Sequence, residues 1–190
     1  MKRGPLTIWT IGHSTRSIEA FLALLKTHNI EALVDVRHFP GSRRYPHFDK
    51  EQLAETLSRA GIEYHHLPQL GGRRRPQAHS TNTAWRNEAF RGYADYMQTR
   101  AFTEGISRLL DIARDKRVAI MCAEAVWWRC HRGLIADYLK ANGHEVLHIQ
   151  SPTKAEEHPF TSAARIVNGK LSYEAVSTGG ATALSGLELF

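Results

Sequence analysis

The chain has 190 residues, 42% of them hydrophobic, which suits one substantial core better than two large domains. No apolar run is long enough to span a bilayer, and the start MKRGPLTIWTIGHS lacks a signal peptide's apolar region and cleavage site, so a cytoplasmic protein with no membrane role is expected. A formal charge of +6, from 25 Lys and Arg against 19 Asp and Glu, favours an acidic partner, and only two cysteines exclude a disulfide framework.

TIWTIGHS reads as a first strand ending in a turn at Gly12-His13-Ser14-Thr15. SIEAFLALLKTHN follows as a helix, with Ile18, Phe21, Leu22 and Leu25 on one face and Ser17 as its N-cap. Ala32 to Val36 form a short buried strand, after which Pro40, Gly41 and Pro46 break regular structure and leave Arg43, Arg44 and Tyr45 on a surface loop. DKEQLAETLSRAG predicts a helix capped by Asp49 and stopped by Gly61, and IEYHHL the next strand. The stretch PQLGGRRRPQAHSTNTAW has no core pattern and reads as a long functional or flexible loop without Rossmann or Walker glycine spacing. NEAFRGYADYMQTR and AFTEGISRLLDIARD predict two helices.

RVAIMC then reads as a buried strand, CHRGLIADYLKANG as a helix and HEVLHI as a last core strand. The polar, turn-rich stretch SPTKAEEHPFTSAARIVNGKLSYEA is expected to wrap the domain edge or form a small hairpin, and STGGATALSGLELF to be a loosely held tail. Together these elements predict a single compact α/β domain with a mostly parallel sheet flanked by helices, residues 1–150 forming the core and 151–190 a wrapping segment and tail.

The join at 117–132, RVAIMCAEAVWWRCHR, lies where a strand end meets a helix start, the usual border of a ligand crevice in an open α/β sheet. Glu124 is the leading acid or base, with Asp35 as second carboxylate and His131 as donor. Arg37 lies two positions beyond Asp35 on the same strand face, so the pair either contacts a ligand or forms a structural salt bridge. Arg43, Arg44, Arg73, Arg74 and Arg75 form a candidate phosphate-attracting rim, and Trp127, Trp128 and Tyr45 are candidate stacking residues. Cys130 and Arg132 flank His131 at the expected helix start; packing or hydrogen bonding outranks nucleophilic chemistry for Cys130, because adjacent side chains on a helix diverge. The spacing of Cys122, Glu124, Cys130 and His131 matches no standard zinc signature, so neither a metal nor a cofactor is expected.

TIGHS at 10–14, VDVRHFPGS at 34–42, LPQLGG at 67–72 and the segment from MCAE to CHR at 121–132 resemble the DUF488 family, across most of the first 150 residues. That resemblance implies a compact α/β domain and maps a pocket onto His13, Ser14, Asp35, Arg37, Pro40, Ser42, Glu124, Cys130, His131 and Arg132. It implies no particular reaction.

The basic loops, aromatics and paired acids together lead to the expectation of a nucleic-acid enzyme. Specifically, a metal-independent N-glycosylase would act in repair on an altered or mismatched DNA base, RNA being the other substrate. Two further readings stand beside it: a non-catalytic domain binding nucleic acid or a phosphorylated ligand, and a small-molecule nucleoside hydrolase or transferase.

Overall fold

Residues 4–176 are described in a computed structural model of the chain. In chain order the elements are β1 (Thr7–Gly12), α1 (Ile18–Thr27), β2 (Ala32–Asp35), α2 (Lys50–Arg59), β3 (Glu63–His66), α3 (Glu88–Tyr96) and α4 (Arg100–Asp115). There follow β4 (Val118–Cys122), α5 (Arg132–Ala141), β5 (Glu145–Ser151), β6 (Lys154–Glu157), β7 (Arg165–Val167) and β8 (Lys170–Ser172). The main sheet has the order β3-β2-β4-β1-β5-β6; its first five strands are parallel, and β6 runs antiparallel to β5.

The central strands are largely apolar because helices cover both of their faces, and every residue of ALVD in β2 and VAIMC in β4 is buried, Asp35 included. Alternation along β1 divides the core. Ile8 packs with Val34, Ile120 and the inner faces of α3, α4 and α5, including Tyr93, Phe102, Ile106, Leu134 and Ile135. Trp9 and Ile11 turn the other way, onto Phe21 and Leu25 of α1 and Leu53 and Leu57 of α2.

That division creates the crevice. β1 and β4 are neighbours, yet α1 leaves β1 for one face while α5 leaves β4 for the other, so their C-terminal ends part and expose a recess. Single compact α/β architecture with a mostly parallel sheet is what the sequence pattern predicts.

Ser17 caps α1 as expected, accepting from the Ala20 amide at 3.2 Å. Asp49 heads α2 but makes no side-chain cap bond; its carboxylate instead accepts from the Ser42 amide and holds the preceding basic loop. The loop expected to be functional or flexible after β3 is pinned at its far end. Asp95 accepts from the Gln77 amide, the Ser80 hydroxyl and the Asn82 side-chain amide at 2.6–2.7 Å.

In the stretch after β5, β6 adds an antiparallel strand to the sheet edge, and β7 and β8 form a hairpin. The predicted tail, 177–190, lies outside the described residues. Among the described residues no helix is long and apolar enough to cross a membrane.

Candidate functional site

At the strand ends lies a cavity of about 650 Å3, lined by His13 and Ser14 after β1, by Arg37 to Tyr45 in part after β2, by Gly72 and Arg73, and by Cys122 to Ala125, Cys130 and His131 around β4. Residues distant in sequence thus meet where the sheet topology places the recess. Gly12 is needed for this meeting: a Cβ there would lie 1.8 Å from the Glu124 carbonyl oxygen, so only glycine lets β1 end against the β4 loop. Ser14 and Arg73, both on the cavity wall, have φ values of 50° and 61°, in the left-handed region that non-glycine residues seldom adopt.

Asp35 is fully buried and does not line the cavity. It accepts from the Arg37 amide at 3.0 Å, from Arg37 Nε and Nη2 at 2.9 and 2.6 Å, and from the Tyr64 hydroxyl at 2.8 Å. With its lone pairs taken in this way, Asp35 positions Arg37. Burial works against the guanidinium charge, but Asp35 more than offsets it and raises the Arg37 pKa. Nη1 is left facing the cavity side, 3.5 Å from His13 Nε2.

His13 Nδ1 lies 3.0 Å from the Ser14 carbonyl, which only accepts, so Nδ1 carries the proton and Nε2 faces Arg37 with a lone pair. The ring stacks on Phe48 at 4.2 Å, and burial lowers its pKa to about 4, keeping it neutral.

Glu124 is exposed on the cavity wall, and the group the fold uses is its backbone carbonyl, which accepts from Arg132 Nη2 at 2.7 Å. The desolvated carboxylate expected from the sequence is therefore a solvated one. The two predicted acids differ in kind, one locked under an arginine and one in water.

Cys122 and Cys130 bring their sulfurs within 2.8 Å of each other. Cys130 has an extended backbone, φ −134° and ψ 151°, because a short 3-10 turn at Trp127–Arg129 precedes it and α5 starts only at Arg132. The divergence expected of helical neighbours does not apply. His131 Nδ1 approaches Cys130 Sγ at 3.5 Å.

Burial pushes the Cys122 thiol up. At Cys130 burial acts in the same direction, but the hydrogen bond from Cys122, His131 and the Arg132 charge outweigh it and bring the thiol well below its ordinary range.

Trp127 stacks on His148 at 4.6 Å and is absent from the cavity wall, and Trp128 is exposed elsewhere. Tyr45, Ser42, Arg44 and Arg73 are on the wall; Arg43, Arg74, Arg75 and Arg132 are not. Arg74 lies 3.6 Å over the Tyr96 ring and donates to the Gly71 carbonyl, a packing role.

Sequence reasoning passed over a buried polar chain behind the site. Arg132 Nη1 donates to Thr10 Oγ1 at 3.2 Å; Thr10 meets His148 Nδ1 at 2.7 Å, His148 Nε2 meets His158 Nδ1 at 2.9 Å, and His158 Nε2 meets Asp137 at 2.9 Å. The alternation of HEVLHI places His148 inward beside Val146, a signal present in the sequence.

Among the described residues no group of three or more His, Cys, Asp and Glu could hold a metal ion. A family model described as a domain of unknown function, DUF488, matches residues 17–139. No curated protein and no solved structure matches the chain.

These findings correct the assignments of DNA binding, hydrolase, DNA glycosylase and DNA repair activity. The matching family is described only as a domain of unknown function, and the acid pair on which glycosylase chemistry depended consists of a buried salt-bridge partner and an exposed carboxylate. The match covers well over half of the chain, from the cap of α1 to the buried face of α5, and the chain belongs to the DUF488 family.

Proposed function

We propose that the crevice binds a small phosphorylated ligand. The observation that carries this reading is a charge imbalance: three guanidinium groups, Arg37, Arg44 and Arg73, line the cavity against one carboxylate, Glu124. Arg37 is held by Asp35 and by the Phe48 carbonyl at 2.8 Å, so little side-chain freedom remains to be lost on binding. With Nε and Nη2 held by Asp35, Nη1 remains as a charged donor towards the cavity, which Ser14 and Ser42 also line. The volume, about 650 Å3, suits a small molecule.

Calorimetric titration with inorganic phosphate, pyrophosphate and adenosine monophosphate at low and high salt tests the reading. Binding is expected to weaken as salt screens the rim, and to fall about tenfold when Arg44→Ala and Arg73→Ala are combined. Absence of binding by all three compounds, or affinity unchanged in the double variant, would overturn it. So would binding of a 20-residue oligonucleotide by protein that ignores the small phosphates.

A further inference from the structure

Beneath the basic wall lies a buried cation with no carboxylate paired to it among the described residues. Arg132 is 2% exposed, and its guanidinium donates to the Thr10 hydroxyl and to the Glu124 carbonyl, while Nε has no hydrogen-bond partner. Burying a cation against neutral acceptors alone is costly. Of the two neighbouring sulfurs, Cys130, the more acidic thiol and an acceptor from the Arg132 amide, is the one that supports the Arg132 charge.

Other contacts give the two sulfurs different roles. Cys130 Sγ receives the Arg132 amide at 3.5 Å and faces His131 Nδ1 at 3.5 Å. His131 Nε2 lies 3.2 Å from the Val36 carbonyl, so that nitrogen carries a hydrogen and Nδ1 offers a lone pair to the thiol. Cys122 has no such base and bonds to Cys130 and, at 3.8 Å, to the Glu124 carbonyl. Both residues line the cavity, at 2% and 5% exposed, and so form part of its floor.

We propose that Cys122 and Cys130 are a redox-active dithiol that reduces small hydroperoxides, with Cys130 as the attacking thiolate and Cys122 as the resolving thiol. The Cys130 proton passes to His131 Nδ1, leaving a thiolate that accepts a hydrogen bond from Cys122. The thiolate attacks the terminal oxygen of the hydroperoxide; the O–O bond breaks, an S–O bond forms, and the departing alkoxide takes the proton from His131 as an alcohol. The Cys122 sulfur then displaces hydroxide from the Cys130 sulfenic acid. The thiol proton and that hydroxide leave as water, and a disulfide remains. One hydroperoxide and two thiols give one alcohol, one water and one disulfide, and an external dithiol restores the resting pair.

The sulfurs already lie 2.8 Å apart, so closure to the ~2.05 Å of a disulfide needs little movement. This chemistry goes beyond phosphate binding and does not need it, because hydrogen peroxide is uncharged.

Wild-type protein is treated with one equivalent of hydrogen peroxide, acid-quenched and weighed by mass spectrometry. A loss of about 2 Da that dithiothreitol reverses is expected, with consumption at least about tenfold faster than by free cysteine. In Cys122→Ser, dimedone should tag Cys130. In the Arg44→Ala, Arg73→Ala double variant the oxidation should persist even if phosphate binding is lost.

Two thiols that both remain alkylatable after peroxide treatment of the wild type would overturn the proposal. So would a dimedone tag that maps to Cys122 in Cys130→Ser but never to Cys130 in Cys122→Ser. Should either variant fail to fold, peptide mapping of the oxidised wild type decides, since only a Cys122–Cys130 disulfide supports the assignment.

Discussion

Two buried arginines serve the crevice, Arg37 on its wall and Arg132 behind it, and they are charged for different reasons. Arg37 carries its own counter-ion: Asp35, two residues back, binds it through Nε and Nη2 at 2.9 and 2.6 Å. Arg132 has carbonyls, a hydroxyl and two sulfurs. The first arrangement is electrically complete and leaves a donor for a ligand. The second is complete only if a thiol gives up its proton. One side of the recess is therefore suited to holding an anion, the other to maintaining a reactive one.

The sharpest way to break this contrast is to remove the internal counter-ion. Asp35→Asn leaves the Arg37 charge buried without its partner and should lower unfolding stability by about 3–5 kcal/mol, measured by denaturant titration. A loss below about 1 kcal/mol would show that Arg37 escapes to solvent, and the rigid-donor reading would fail.

The next effect separates the arginines directly. Arg132→Met removes charge-assisted hydrogen bonds and should cost about 1.5–3 kcal/mol. It should also move the pH midpoint of Cys130 alkylation upward, because the thiolate loses its cation. Arg37→Met, on the other flank, should leave that midpoint in place. A midpoint unmoved in Arg132→Met would mean that the sulfurs and the guanidinium are merely neighbours.

Acid should weaken both flanks. Burial holds His13 at about 4 and His148 at about 2, below the ordinary value near 6.5, so the fold stabilises the neutral rings. Stability is full above about pH 6.5 and falls as the unfolded chain takes up protons that the native rings refuse. The slope approaches about 1.4 kcal/mol per pH unit for each ring, ending near pH 4 for His13 and continuing lower for His148. Thermal melts of His148→Gln between pH 7 and 5 should show a shallower decline than wild type.

The fold was legible because periodicity reports burial: the unbroken apolar runs of β2 and β4 and the stripes of α1 and α4 state which faces are covered. The location of the crevice followed from the strand end at Cys122. The assignment of roles did not. Asp35 and Glu124 look alike in sequence, and only the register of β2 against β3, which brings Tyr64 to Asp35, shows that one of them is consumed internally. The Cys130 contact with His131 depended on a backbone bend, since the extended conformation before α5 lets consecutive side chains converge. The Asp137 to Arg132 chain joins residues from α5, β1, β5 and the segment after β6, a meeting that no local pattern encodes.

The smallest expected effect concerns Glu124. Its side chain is exposed and its structural contact is made by the backbone, so Glu124→Gln should change unfolding stability by less than about 0.5 kcal/mol. The same substitution removes the one negative charge from a wall carrying Arg37, Arg44 and Arg73. Phosphate should then bind about two- to threefold more tightly at low salt, with the gain vanishing as the Debye length shrinks below the distance across the cavity. A gain that survives high salt would come from a direct contact rather than from the field. Weaker binding would put the carboxylate among the groups that touch the ligand, and the asymmetry between a positively charged wall and a thiol floor would have to be redrawn around it.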